Sequence, residues 1–239
     1  MTRRPTIRKR LARVDWHAVE KALSELGHAR IPSVLTPAEC AALVALYDED
    51  RRFRSRVDME RHRFGVGDYA YFARPLPATV RELRTHGYRH LAPVANRWAE
   101  RLGNATRFPP RLSAYLARCH AGGQTRPTPL LLRYRAGGYN CLHRDLYGPL
   151  VFPLQMTCFL SRRGKDYTGG DFLLVEQRPR SQARGEAIAL EQGELLIFPV
   201  AERPVEGRRG ALRASMRHGV SRITRGSRYA LGIIFHDAR

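Results

Sequence analysis

The C-terminal half of the sequence is a series of short β-type segments separated by turn residues. Seven candidate strands can be marked from residue 128 onward, at 129–135, 152–161, 171–176, 187–190, 194–200, 215–221 and 228–236. Glycine, proline and aspartate lie between them, as in the turns of antiparallel sheets. No long helical pattern separates one segment from the next. The pattern therefore favours a β-sandwich or jelly roll over a parallel sheet.

The N-terminal half has the periodicity and the capping signals of helices. Asp15 can cap a first helix, and the stretch at 36–39 (Thr-Pro-Ala-Glu) is a capping box with proline at the first helical position. Further helices are expected over 77–103, with an interruption at Pro93, and over 110–120. The sequence thus predicts helices first and strands afterwards, which is typical of an α+β protein.

Three segments follow from this division. Residues 1–13 carry six basic residues and no acid, and we expect a disordered basic arm there. Residues 14–125 are expected to form a mainly helical N-terminal layer, and residues 126–239 a jelly-roll core. No flexible linker lies near residue 125, so we interpret this boundary as one between structural layers and not between independent domains.

The charge of the chain is unusual. Forty-two basic residues stand against 22 acids, for a net charge of +20, and only three of the basic residues are lysines. Arginine forms bidentate contacts with phosphate, so a nucleic-acid partner is plausible. Biased base composition in the genome would explain the preference for arginine over lysine, but not the net charge.

The four cysteines show no CxxC spacing, and no apolar run is long enough to span a bilayer. We expect a cytoplasmic protein without membrane segments.

Three residues have the spacing of a metal site. In His143-Arg144-Asp145, the outer two side chains point to the same face of an extended strand. His218 lies on a later candidate strand and can supply a third ligand. Two histidines and one carboxylate leave half of an octahedron open, which is the facial triad of non-haem iron(II) oxygenases. A zinc-binding or cupin-like jelly roll, or a β protein without metal, remains an alternative.

A co-substrate site is expected beside this triad. The open metal positions can accept a bidentate 2-oxo acid and then dioxygen. Arg228, ten residues after His218 at the start of a candidate strand, can bind the far carboxylate bidentately, and Tyr134 can add a phenolic donor. The expected cofactors are therefore Fe(II), 2-oxoglutarate and dioxygen.

The pattern of Tyr134, Gly137, the HxD motif, His218 and Arg228 resembles the 2-oxoglutarate/Fe(II) oxygenase superfamily, whose fold is a double-stranded β-helix, a distorted jelly roll. Further stretches (NCLHRDLYG, GGDF, EQRPR, RHGVSR and GIIFHDA) are similar to a bacterial family described as acting on alkylated, damaged DNA. The resemblance implies DNA repair by oxidative dealkylation of bases. Arg144 departs from it, since glutamine is expected between the metal ligands. The spacing from His218 to Arg228 is that of the wider superfamily, whereas AlkB-type dealkylases have a longer insert and a second arginine there.

Other residues leave alternatives open. Arg178 and Arg180, in a polar segment after a candidate strand, could contact phosphates of a substrate, could form ion pairs within the barrel, or could lie in a solvated connection. Tyr69, Tyr71 and Phe72 could stack on an extracted base, or could simply pack in the core. For the whole chain, the alternatives to base dealkylation are a hydroxylase of protein side chains or small molecules, and a non-catalytic nucleic-acid-binding jelly roll.

Overall fold

A computed structural model describes residues 5–208 and 210–239 of the chain. Helices occupy the N-terminal half. They are α1 (Ile7–Ala12), α2 (Trp16–Glu25), α3 (Pro37–Ala45), α4 (Ala78–Arg101) and α5 (Leu112–Ala121), with short 3-10 turns at Leu46–Asp48, Asp50–Arg52 and Glu60–His62.

Strands run through the whole molecule and not only through its second half. The first four are β1 (Ala29–Ile31), β2 (Phe53–Asp58), β3 (Gly65–Val66) and β4 (Asp68–Phe72). The remainder are β5 (Leu130–Arg135), β6 (Tyr139–His143), β7 (Leu154–Phe159), β8 (Tyr167–Gly169), β9 (Phe172–Gln177), β10 (Arg184–Ile188), β11 (Leu195–Pro199), β12 (Glu202–Gly207), β13 (Gly210–Val220) and β14 (Ile223–Ile233).

The strands form two sheets that face each other. The major sheet has eight strands in the order β1-β11-β7-β14-β5-β4-β2, with β8 also paired to β14. The minor sheet has six strands in the order β10-β9-β13-β6-β3, with β12 also paired to β13. Every pairing of named strands within the described residues is antiparallel. Two facing antiparallel sheets of this kind make the jelly roll that the sequence pattern predicts.

Consecutive side chains along the strands of the major sheet belong to two different hydrophobic cores. In β7, Leu154, Met156 and Cys158 belong to the large apolar cluster that the helices share with the outer face of this sheet. Phe159 on β7 and Phe172 on β9 belong instead to a cluster between the two sheets. Because consecutive side chains of a strand point to opposite faces, one strand serves both cores. The helices therefore cover one face of the major sheet, and the minor sheet covers the other.

Local capping chemistry fixes where the helices begin. The carboxylate of Asp15 accepts a hydrogen bond from the backbone N–H of Ala18 at the start of α2. At α3, the Thr36 hydroxyl accepts from the N–H of Glu39, and the Glu39 carboxylate accepts from the N–H of Thr36. Both arrangements satisfy backbone donors that the first turn of a helix leaves without partners.

The structure corrects several expectations for the N-terminal half. Residues 7–12 form helix α1, with Ile7 and Leu11 buried, so disorder of the basic arm is wrong for this part; residues 1–4 lie outside the described residues. Besides the expected helices, residues 14–125 contribute the strands β1 to β4. Helix α4 runs through Pro93 without interruption. No helix in the described part of the chain is long and apolar enough to cross a membrane.

Candidate metal centre and its cavity

Strand register brings the predicted metal ligands together. His143 is the last residue of β6, and Asp145 follows two residues later. Strand β6 pairs with β13, and in that pairing His218 stands directly opposite His143. Two histidines far apart in sequence thus face one carboxylate, and the strand register shifts between His218 and Val220.

The three side chains offer ligand atoms within 4.8 Å of one another. Nε2 of His218 lies 3.2 Å from Oδ2 of Asp145, and Nε2 of His143 lies 3.7 Å from Oδ1. Nδ1 of His143 is 2.8 Å from the carbonyl oxygen of Cys141. In the tautomer in which Nδ1–H donates to that oxygen, Nε2 carries a lone pair directed to the centre of the group. The donor set therefore fits a divalent metal with open coordination positions.

The protonation states at this centre also suit a metal. Burial lowers the pKa of His218, and the neighbouring His143 lowers it further, which favours the neutral imidazole that binds metals. Burial alone would raise the pKa of Asp145, but the hydrogen bond from His218 outweighs it and holds the pKa of this carboxyl well below its usual range. A neutral imidazole at His218 and an ionised carboxylate at Asp145 are the forms in which these two side chains bind a metal.

Arg228 and Tyr134 lie deeper in the barrel and are paired in register, on β14 and β5. Both are buried, with Arg228 only 2% exposed. The guanidinium carbon is 4.6 Å from the ring centre of Phe159 and 5.5 Å from that of Tyr134. Nε of Arg228 has no hydrogen-bond partner among the described residues. A buried guanidinium without an acidic partner in salt-bridge contact is costly, and a carboxylate ligand would satisfy it.

A cavity of about 360 Å³ connects Arg228 with the triad. Tyrosines form part of its wall, and the cations Arg63 and Arg144 also line it. Within the described residues, Asp145 is the only acid in the lining. Phe64, on the wall of the same cavity, is 48% exposed, so apolar surface stands at its opening. The space next to the metal centre is thus aromatic and apolar, and it is positive apart from the carboxylate that would bind the metal.

Sequence reasoning missed one residue of this centre, Tyr147. Its hydroxyl donates to Oδ1 of Asp145 at 2.7 Å and lies 3.1 Å from the hydroxyl of Tyr71. Burial raises the pKa of Tyr147 well above its usual value, so it remains a neutral donor. The spacing could have indicated it, since His143, Asp145 and Tyr147 continue one period-two pattern.

Of the remaining candidates, the two arginines lie outside the cavity and the two tyrosines line it. Neither Arg178 nor Arg180 lines the cavity; Arg178 donates to Glu176 at 2.7 Å and Arg180 lies in the exposed turn between β9 and β10. Tyr69 and Tyr71 both line the cavity. Their position is compatible with contact to a substrate as well as with packing.

The fold and this centre together define a class of protein. A jelly roll with a His-Asp-His group at the end of its barrel, and a buried arginine beyond it, is the arrangement of the Fe(II)- and 2-oxoglutarate-dependent dioxygenases. Residues 67–238 match the model of the Oxygenase-NA family, described as an oxygenase catalysing oxidative methylation of damaged DNA. The chain belongs to this family, and it is an enzyme that uses Fe(II), 2-oxoglutarate and dioxygen.

Known proteins resemble the chain at two levels. An uncharacterized protein of Mycobacterium tuberculosis (strain CDC 1551 / Oshkosh) is 50% identical over 167 residues, which are 70% of this chain and 72% of the relative. A prolyl-4-hydroxylase of Pseudomonas putida superposes with a TM-score of 0.57 at 13% identity, over 94% of this chain and 99% of its own. A 2OG-Fe(II) oxygenase-family oxidoreductase of Burkholderia pseudomallei gives 0.52 at 14% identity, over 95% and 93%. At such low identity, these structures support the fold alone.

Proposed function

We propose that this dioxygenase removes alkyl groups by oxidation from damaged bases of nucleic acid. The observation that carries the proposal is the composition of the cavity beside the metal centre. Its walls are aromatic and apolar, and its cations are Arg63, Arg144 and Arg228. Asp145 is the only acid lining it in the described parts of the chain. A flat, apolar ring attached to a polyanion matches such a cavity.

The metal would be held by His143, Asp145 and His218, and the far carboxylate of 2-oxoglutarate by Arg228. When bound, iron with 2-oxoglutarate and dioxygen supplies the oxidising power, and the co-substrate leaves as succinate and carbon dioxide. Burial raises the pKa of Tyr134, so its phenol stays protonated and can donate to the same carboxylate. The protein's own contribution is to hold these groups in place and to keep water away from them.

The walls between the metal centre and the opening are suited to a base. Tyr69 and Tyr71 lie with their ring centres 5.4 Å apart and edge to face, and Tyr147 meets Tyr71 in the same way at 6.1 Å. An enzyme that acts on a base has to take it out of the stack, and aromatic side chains compensate for the lost stacking. Leu142 and Phe64 are exposed large apolar residues that line the same cavity.

Charge along the chain supports the same substrate. Residues 101–144 contain eight arginines and no acid, and residues 207–236 contain seven arginines and no acid. These two stretches carry β5, β6, β13 and β14, which are the strands that hold the candidate metal ligands and Arg228. The positive charge is thus concentrated on the elements that build the site, where it attracts a phosphate backbone.

The experiment compares substrates in one turnover assay. Succinate and formaldehyde are measured with Fe(II) and 2-oxoglutarate on methylated single-stranded DNA, methylated duplex, unmethylated DNA and a set of peptides. We expect formaldehyde from methylated DNA only, and none from the His143→Ala variant. Affinity for DNA should fall linearly with salt on logarithmic axes. Turnover on peptides, with no formaldehyde from any methylated DNA, would overturn the proposal in favour of a side-chain hydroxylase.

A further inference from the structure

A second cavity lies behind the segment that carries the HxD motif. It has a volume of about 420 Å³, within the range of about 300–1,000 Å³ that is typical of ligand sites. Its wall is formed by α4, α5 and the loop after Asp145, with Trp98, Phe108 and Tyr115 among its aromatic residues. This cavity holds none of the candidate metal ligands and has no part in the proposed chemistry.

The HxD segment is the wall between the two cavities. His143, Asp145 and Tyr147 line the cavity of the metal centre. Leu146 lines the second cavity, and Arg144 lines both. Alternate side chains of one short segment thus face two different spaces. A ligand chain that places one group beside the metal can therefore place a neighbouring group on the opposite side of the same wall.

Polar groups of the second cavity indicate the chemistry of its occupant. Trp98 is only 3% exposed, and its indole N–H has no hydrogen-bond partner in the described residues. A buried donor without a partner calls for an acceptor. Arg107 and Arg118 line the cavity and are exposed, and among the described residues neither has an acidic partner within salt-bridge distance. The one acid in the described lining, Glu202, is already paired with Arg213.

Leu146 adds an apolar surface at the entrance. Its side chain is 53% exposed, although it is a large hydrophobic residue next to a buried carboxylate. The entrance therefore combines an exposed apolar side chain with arginines, and the interior combines aromatic rings with an unsatisfied donor. A planar ring with acceptor atoms, attached to a phosphate, matches all of these features.

We propose that the second cavity binds the base of a nucleotide that neighbours the target nucleotide in the same strand. This rests on the proposed function of the metal centre. The enzyme would then hold two bases on opposite sides of the HxD segment, with Arg144 between them and the arginines at the entrance close to the connecting phosphates. The consequence is that the substrate is an oligonucleotide: a methylated mononucleotide lacks the second contact.

An abasic scan tests this directly. Methylated single-stranded heptanucleotides are prepared with an abasic site at each flanking position in turn, and kcat/KM and Kd are measured for the full-length protein with Fe(II) and 2-oxoglutarate. We expect one flanking position at which loss of the base weakens binding about ten-fold, in line with the usual contribution of one stacked base. The other flanking positions should change binding by much less.

Two substitutions, each with a matched control, test whether the base at the sensitive flanking position binds in the second cavity. In Leu146→Glu, the same abasic position should no longer matter, because the contact is already lost. Leu212→Glu is the matched control, since Leu212 is also an exposed leucine (44%) but lines neither cavity, and it should keep the wild-type scan. Arg118→Ala should reduce the effect in part, whereas Arg89→Ala, an exposed helical arginine away from both cavities, should not.

The outcomes are distinct. If the wild-type protein turns over the substrate but no flanking abasic site changes Kd, the second base site is overturned and the proposed function is not. A scan that is unchanged in Leu146→Glu has the same meaning, because the sensitive base then binds elsewhere. Absence of turnover on every methylated oligonucleotide, while another substrate consumes 2-oxoglutarate, overturns both proposals.

Discussion

Arg228 and Arg203 offer a test in which the same substitution has opposite effects on stability. Both guanidinium groups are buried, with exposed fractions of 2% and 0%. Arg203 donates from Nε to Glu176 at 2.7 Å and from Nη1 to the carbonyl oxygen of Ser24 at 2.7 Å. Among the described residues, no acid lies within salt-bridge distance of Arg228, and burial lowers the pKa of its guanidinium, so the charged form is held at a cost. Methionine replaces either side chain with an apolar one of comparable length.

The expected magnitudes follow from these partners. Arg203→Met leaves a buried carboxylate short of its main partner, and it should lower the free energy of unfolding by about 3 kcal/mol. For a chain of this size this is a fall in Tm of about 10 °C. Arg228→Met removes a buried charge without a counter-ion, and it should raise the stability of the ligand-free protein by about 1–2 kcal/mol. The cation–π contacts with Phe159 and Tyr134 oppose this gain but are smaller.

Whereas Arg228→Met should raise the stability of the ligand-free protein, it should weaken the binding of 2-oxoglutarate. At a concentration of 100 times Kd, the co-substrate stabilises the wild-type protein by about 2.7 kcal/mol, or about 8 °C. Loss of a buried charge-assisted contact costs about 2–5 kcal/mol, so Arg228→Met should weaken 2-oxoglutarate binding at least about 30-fold and reduce this stabilisation to about 0.9 kcal/mol or less at the same concentration.

Thermal unfolding of the anaerobic Fe(II) protein, with and without 2-oxoglutarate, measures both effects in one experiment. Arg203→Met is expected to unfold at a lower temperature but to retain the shift caused by 2-oxoglutarate. If Arg228→Met lowers Tm in the ligand-free state and still responds to 2-oxoglutarate as the wild-type protein does, Arg228 is a structural residue and the assignment of the co-substrate site is wrong.

Three further predictions concern the metal centre and its surroundings. His143→Ala removes one of three ligands and should weaken Co(II) binding, followed by its visible absorption, at least about 100-fold; unchanged binding would exclude this triad. Tyr147→Phe removes the hydroxyl that donates to Asp145, so we expect metal affinity to fall about 10-fold with Tm little changed, and a fold-wide loss of stability would indicate a structural role instead. Burial lowers the pKa of His236 to about 4, so the unfolded chain takes up this proton first and stability should decline by about 3 kcal/mol as the pH falls from 6.5 to about 4. The His236→Gln variant keeps an acceptor for the N–H of Phe152. Its free energy of unfolding, measured in urea, should fall by about 3 kcal/mol less over this pH range than that of the wild-type protein. Equal falls in the two proteins would show that His236 is not the group responsible.

The parts of the fold that could be predicted from sequence are those set by local chemistry. The jelly roll followed from the short β-type segments separated by turn residues after residue 128, because such turns join the strands of antiparallel sheets. The starts of α2 and α3 followed from Asp15 and from the capping box at Thr36, because a cap is read from a few neighbouring residues. The two-residue spacing of His143 and Asp145 likewise predicted that an imidazole and a carboxylate lie on the same face of an extended strand.

The parts that could not be predicted depend on partners distant in sequence. Strands β2 and β4 form only because β4 pairs with β5, more than fifty residues later, and short strands at a sheet edge carry little signal of their own. Helix α1 is held by tertiary contacts, including two hydrogen bonds from Arg10 to the Glu39 carboxylate on α3. Pro93 was expected to interrupt α4, but this helix buries eleven residues, and packing outweighs the one backbone hydrogen bond that proline removes.

The structure distinguishes arginines that form ion pairs within the fold from arginines without an acidic partner, which the composition alone does not. Some arginines connect parts of the fold: Arg84 on α4 donates to Asp237 near the C-terminus at 2.7 Å, and Arg203 joins β12 to Glu176 on β9. These pairs explain why the chain is rich in arginine without implying any partner. They cannot account for the net charge of +20, because each of them includes an acid.

The excess positive charge therefore belongs to arginines without acids, and their positions are informative. Arg63 and Arg144 line the cavity of the metal centre, and Arg107 and Arg118 line the space behind the HxD segment. Exposed cations without an acidic partner are not neutralised within the protein, and each adds repulsion to an already positive protein. The positions of these four arginines on the walls of the two cavities, and not the arginine content of the chain, are the physical argument for the proposed polyanionic substrate.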